Sequence, residues 1–129
     1  MAGAANLICI VDDDPSVRRA LGRMVTSFGF EVQLLASGRE CLDGPYIDQA
    51  ACLILDVSMP GMDGFELHTL LQASGRSVPT VFISAHDDED YQAKARSVGA
   101  VAFLNKPCDE SLLRDALDNA VASYDAPGS

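Results

Sequence analysis

Leu7-Ile8-Cys9-Ile10-Val11-Asp12-Asp13-Asp14-Pro15 is the stretch from which the fold can be read. Its five consecutive apolar residues are too few for a buried helix. They also lack the alternation of a half-exposed strand, so the run predicts a strand covered on both faces, as in a parallel sheet. Three acids follow at once. Asp14-Pro15 reads as a helix N-cap followed by proline at the first helical position, and Val17, Leu21, Met24, Val25 and Phe28 then recur at three- and four-residue steps until Gly29 stops the helix. Cys52 to Leu55, Thr80 to Ile83 and Val101 to Leu104 are three further apolar runs, while Glu31-Val32-Gln33-Leu34 alternates and reads as the sheet edge. A short helix is expected near Ser37. Another is expected from Gly64 to about Ala73 with Leu67, Leu70 and Leu71 inward, and a fourth from roughly Asp88 to Val98. A cap at Asp109 starts the last, with Leu112, Leu113, Ala116, Leu117, Ala120 and Val121 on one face. Strand and helix alternate five times, which predicts right-handed crossovers and a doubly wound α/β sheet.

The chain has 129 residues, of which 48% are hydrophobic and 22% charged, the profile of one compact domain with a self-sufficient core. A net charge of −10 repels phosphate backbones and anionic lipid, so DNA contact is expected only through a partner or a separate output domain. Cys9, Cys41, Cys52 and Cys108 form no C-x-x-C pair and read as thiols of a reducing cytoplasm, with Cys41 and Cys108 partly exposed. No basic leader precedes the first strand and no apolar run approaches the roughly 18 residues that span a bilayer, so neither secretion nor a membrane location is expected. Residues 1–6 are expected to be a flexible N-terminal tail, 7–122 the folded domain, and 123–129 a C-terminal linker or tail.

In an open parallel sheet, ligands bind beyond the carboxyl ends of the strands. Asp12, Asp13, Asp56, Ser84 and Lys106-Pro107 all fall there. Asp14 already supplies the cap beside Pro15, so the other two acids of the triplet are left for another task. Asp12, Asp13 and Asp56 carry −3, and Lys106 with a divalent cation brings the sum to zero. All-oxygen ligands without His or Cys suit Mg²⁺. Such a rim is built for an incoming anion, with a carboxylate free to attack a phosphoryl donor in line. His86 reads as a tuner or bystander, His68 as a solvated mid-helix residue, and the acids at 87–90 as an ordinary helix start.

Val-Asp-Asp at 11–13, Leu-Asp-Val-Ser-Met-Pro-Gly-Met-Asp-Gly at 55–64, Ser-Ala at 84–85 and Phe-Leu-Asn-Lys-Pro at 103–107 stand in an order and spacing that resemble a receiver domain of a two-component response regulator over residues 7–122. The implied fold is a five-stranded, flavodoxin-like sheet in order 2-1-3-4-5. The resemblance implies that Asp56 takes a phosphoryl group from a sensor histidine kinase, that Asp13 and the Ser58 backbone carbonyl bind Mg²⁺ directly, and that Asp12 helps through water. It further implies that Lys106 binds phosphate, that Ser84 and Phe103 form a switch pair, and that Ser58 and His86 tune phosphate lifetime. A cis bond before Pro107 is expected on the same ground, as is a weak homodimer on phosphorylation through the face of the fourth helix, fifth strand and fifth helix. The wording around residues 28–30 and 50–67 is most similar to regulators of the nitrogen-fixation type, which implies a LuxR-like DNA-binding output domain and control of transcription. Cys108 stands where many receivers have phenylalanine. Aspartyl-phosphate phosphatases also place a nucleophilic aspartate after an apolar strand, but their general-acid aspartate two positions on is Ser58 here.

Overall fold

The computed structural model describes residues 7–85 and 89–123. Strands β1 (Leu7–Val11), β2 (Glu31–Leu35), β3 (Cys52–Asp56), β4 (Thr80–Ser84) and β5 (Ala102–Asn105) form one parallel sheet in the order β2-β1-β3-β4-β5. They alternate with helices α1 (Pro15–Ser27), α2 (Gly38–Asp43), α3 (Gly64–Ala73), α4 (Glu89–Ser97) and α5 (Glu110–Ser123). The expected doubly wound sheet is the fold observed.

The sheet separates two cores. Cys9, Val11, Leu53, Leu55 and Phe82 face α2, α3 and α4, while Ile8, Ile10, Ile54, Val81 and Ile83 face α1 and α5. Every residue of β3 and β4 is buried, because each strand has a neighbour on both sides and a helical layer on both faces. The run at 101–104 is as apolar but lies on the second edge as β5, where its side chains are only half-buried.

Local chemistry sets the helix boundaries. The Asp14 carboxylate accepts from the backbone N–H of Ser16 at 2.8 Å with Pro15 at the first turn, and Ser37 caps α2 through the N–H of Glu40. Asp63 and Glu66 form a reciprocal capping box at α3. A turn of 3₁₀ helix at Tyr46–Gln49, not anticipated from the pattern, follows Gly44-Pro45 and buries Ile47.

Four side chains depart from their expected environments. Phe65 stacks 4.6 Å from Phe82 and turns the buried arc of α3 through Phe65, His68 and Leu71, so His68 is buried and Leu70 is 43% exposed. Leu112 lies about 100° around α5 from Leu113 and points outward at 56% exposure. Cys41 is buried rather than partly exposed, because the inner side of α2 packs it onto the first core.

Gly64 fixes how closely α3 approaches the sheet. Its N–H donates to the carbonyl of Val57 at 2.8 Å, and a Cβ there would overlap the Asp56 carbonyl oxygen and lie 3.1 Å from the Cα of Val57. Backbone cannot yield as a side chain does, so Gly64→Ala should destabilise the fold by about 1–3 kcal/mol. Gly38→Ala, whose Cβ meets only the mobile sulfur of Met62 at 2.8 Å, should lose less; urea unfolding of both variants tests the contrast. Burial lowers the pKa of His68, whose Nδ1 has no hydrogen-bond partner among the described residues. The folded state therefore resists a proton that the unfolded chain accepts near pH 6.5, and stability falls as pH drops below that value. His68→Leu should remove that component, so that the wild type loses melting temperature relative to the variant between pH 7.5 and 5.

Candidate functional site

The carboxyl ends of β1, β3, β4 and β5 converge on one rim. Asp12, just past β1, is fully buried; its N–H donates to the Leu35 carbonyl at 3.2 Å, and its Oδ1 accepts from the N–H of Asp14 at 2.9 Å. Arg18, one turn into α1, donates from Nη1 to the Asp12 carbonyl at 2.6 Å. That contact ties the helix to the acidic turn and had no signal in the sequence beyond the spacing of six. Asp56 ends β3, is 2% exposed, and accepts from the N–H of Ser58 at 3.2 Å. The Val57 N–H donates to the Ile83 carbonyl at 2.9 Å, so the turn after β3 is held against β4.

Lys106 arrives from the other side. Its N–H donates to the Ser84 carbonyl at 2.8 Å, its peptide bond to Pro107 is cis, and its Nζ lies 3.0 Å from Asp12 Oδ2 and 3.1 Å from Asp56 Oδ2. Asp13 is exposed at the mouth. Asp12, Asp13 and Asp56 each present an oxygen within 4.8 Å of the others. Ser84 is fully buried at the end of β4, in register with Asn105. Phe103 is half-buried against α4, beside a hollow of about 280 Å³ that Gln92, Ala95 and Arg96 also line. Ser58 is exposed next to Asp56. His86 lies outside the described residues. The rim thus brings together Asp12, Asp13, Asp56 and Lys106, with Ser84 at its floor and Phe103 one strand away.

The electrostatics follow from this packing. Burial, and next the charge of Asp12, push the Asp56 carboxyl up to about 6, and the opposing pull of Lys106 and the Ser58 N–H does not restore it. Burial alone would lower the Lys106 ammonium, but hydrogen bonds and charge from Asp12 and Asp56 outweigh it and raise the pKa. Three carboxylates and one ammonium leave −3 + 1 = −2, the charge that one divalent cation cancels. A hard cation of Mg²⁺ size holds its ligands at about 2.0–2.1 Å, so oxygens already gathered within 4.8 Å need little movement to share it. The donor set of Asp12, Asp13 and Asp56 therefore fits such an ion.

Without metal, the Asp56 charge is a net strain on the fold. At pH 7.5 in the presence of a chelator, Asp56→Asn should raise the melting temperature by several degrees, since a stabilisation of 1 kcal/mol shifts a domain of this size by about 2–8 °C. Adding millimolar Mg²⁺ should narrow the gap by raising the wild type more than the variant. Thermal unfolding of both proteins with and without metal gives the answer, and a variant less stable than wild type under chelation counts against the cluster as a repulsive site.

Similarity to known proteins agrees with this geometry. The chain is 38% identical over 121 residues to the response regulator protein TodT of Pseudomonas putida, covering 94% of this chain and 53% of that protein. It is 37% identical over 116 residues to nodulation protein W of Bradyrhizobium diazoefficiens (90% and 51%), and 32% identical over 114 residues to the transcriptional regulatory protein FixJ of that organism (88% and 56%). The chain thus spans about half the length of these curated relatives. Among solved structures, the response regulator StyR superposes with a TM-score of 0.83 at 39% identity, over 92% of this chain and 60% of that one. FixJ-N superposes with a TM-score of 0.84 at 31% identity, over 93% and 96%. The response regulator receiver domain profile matches residues 8–118, and with the acidic rim at its expected place in the sheet the chain belongs to the response regulator receiver family, whose members act as signalling switches.

Proposed function

We propose that this domain is operated by phosphorylation of Asp56, with a sensor histidine kinase as donor and Mg²⁺ as the required ion. The observation that carries the reading is Lys106 Nζ lying about equally far from Asp12 Oδ2 and Asp56 Oδ2, at 3.0 and 3.1 Å, at the mouth of a three-carboxylate cluster. An Asp56 oxygen attacks phosphorus, the bond from phosphorus to the donor's imidazole nitrogen breaks, and that nitrogen keeps the electron pair. The nucleophile carries no proton to remove, so no general base is needed. The Ser58 N–H holds Asp56 Oδ1, leaving Oδ2 as the nucleophilic atom on the side of Lys106. Lys106 then exchanges part of its contact with the carboxylates for a phosphoryl oxygen. Mg²⁺, when bound by Asp12, Asp13, Asp56 and the Ser58 carbonyl, supplies charge neutralisation for the phosphoryl group.

The same chemistry drives the switch. A phosphoryl group on Asp56 offers oxygens to the hydroxyl of Ser84, drawing the end of β4 inward, and Phe103 fills the space left beside it. Among the described residues Tyr91 and Ala95 of α4 and Val98 just beyond it reach the core, so few apolar contacts hold that helix and it is the element that yields. The altered face of α4, β5 and α5 pairs weakly with a second copy, and a DNA-binding output domain of LuxR type, outside this chain, reads the change as control of transcription in the cytoplasm. Ser58 and His86 set how long the acyl phosphate survives hydrolysis.

Incubation with acetyl phosphate and Mg²⁺ should add one phosphoryl mass, which a chelator prevents and Asp56→Asn abolishes; retention of that mass in the variant at the wild-type rate overturns the assignment. Beryllofluoride, which mimics the acyl phosphate, should raise the sedimentation coefficient towards that of a dimer, and added salt should reverse it because exposed ion pairs contribute under about 1 kcal/mol each. A monomer unchanged at high concentration points instead to output through a partner.

A further inference from the structure

We propose that the groove between α1 and the free edge of β2 is a docking site for an extended acidic segment of a partner protein. The groove is separate from the phosphoryl site: Val17, Leu21 and Met24 on another side of α1 line a hollow with Lys106 and Pro107, whereas Arg19, Gly22, Arg23 and Thr26 face Val32 and Leu34 of β2. At Gly22 helix and strand are packed so closely that a Cβ would lie 3.1 Å from Leu34 Cδ2, and beside that contact runs a groove of about 490 Å³ with a mainly aliphatic floor.

Charge identifies the occupant. The segment Pro15–Ser27 contains Arg18, Arg19 and Arg23 and no acid, on a chain of net charge −10. Arg18 is committed to the Asp12 carbonyl, but Arg19 and Arg23 are exposed and make no ion pair or hydrogen bond among the described residues. Like charges four residues apart on a helix repel, so the pair gains nothing from its own helix. Two guanidinium groups over an apolar floor match carboxylates from outside, which each can bind bidentately.

Geometry gives the form of the segment. β2 has β1 on one side only, so the backbone groups along its other edge are open to an added strand. Residues four apart on a helix are separated by about 6 Å along the axis, and side chains two apart on a strand by about 6.6–6.8 Å. Carboxylates at alternate positions of an extended segment thus fall in step with Arg19 and Arg23, and an apolar side chain two positions further on the same face enters the groove. A polyanion such as DNA meets the same two arginines but also the repulsion of the whole acidic surface, which disfavours it.

The test is selection from a phage library of random dodecapeptides on the intact chain, followed by fluorescence polarisation with the enriched peptides. Enrichment of two acids at alternate positions beside an apolar residue is expected. Affinity should fall at least tenfold for Arg19→Glu/Arg23→Glu, and to a lesser degree for Arg19→Ala/Arg23→Ala, while Arg39→Glu on α2 leaves it unchanged. Circular dichroism melts of the alanine pair show that the fold persists. The proposal is overturned by any of four results: no enrichment above background, enriched peptides without an acidic bias, binding that survives charge reversal, or tighter binding of a labelled DNA duplex through the same arginines. Self-association of the wild type that the double variant abolishes also overturns it, by making a second copy the occupant.

Discussion

Two buried carboxylates share one lysine, and most of the molecule's architecture serves to keep them in that position. Asp12 directly follows one strand and Asp56 ends its neighbour, the strand residues before them are wholly apolar, and both carboxylates are buried at the rim. Lys106 lies close to both, but one ammonium cannot cancel three carboxylates. The residual charge is compatible with a stable fold because the rim is open at Asp13 and because backbone N–H groups of Asp14 and Ser58 each hold one oxygen. The site is thereby left short of positive charge, the condition that favours a cation there.

Backbone bonds at the rim couple its parts. Val57 is fastened to Ile83, Gly64 to Val57, and Lys106 to Ser84, so backbone bonds tie the turn after β3 and the residue after β5 to the end of β4. Gly64 lets α3 start directly against the Asp56 carbonyl. A change in the charge of Asp56 is therefore felt through main-chain geometry as well as through side chains.

The sheet and most of this rim were legible because they rest on one-dimensional rules. Continuous apolar runs identified β1, β3 and β4, the alternating run identified an edge in β2, and the acids, serine and lysine directly after those runs had to share the carboxyl end of a parallel sheet. What escaped was decided by packing in three dimensions. The apolar run of β5 does not by itself mark an edge; the strand order implied by the family resemblance did, and the sheet has it there. Leu70 and His68 exchange their expected environments because Phe65 stacks on Phe82 and sets the rotation of α3, a contact between residues 17 apart that no helical pattern contains. Arg18 reaches a backbone carbonyl, which leaves no compositional trace. Gly64 reads in the sequence as the start of a helix; its role as a contact surface appears only when the Asp56 carbonyl is placed beside it.

Because the sheet is one residue thick, it acts as a partition. The side chains that α1 and α5 pack against belong to alternate positions of the strands from those under α2, α3 and α4, and the two clusters of buried residues have no member in common. Alterations in one cluster therefore reach the other through the strands' backbone rather than through shared side chains. Sequence drift on the α1 and α5 side can thus remodel whom the domain meets while the α4 side keeps its own tuning, and grafting one helical layer onto the other becomes a modular operation instead of a redesign of the whole core.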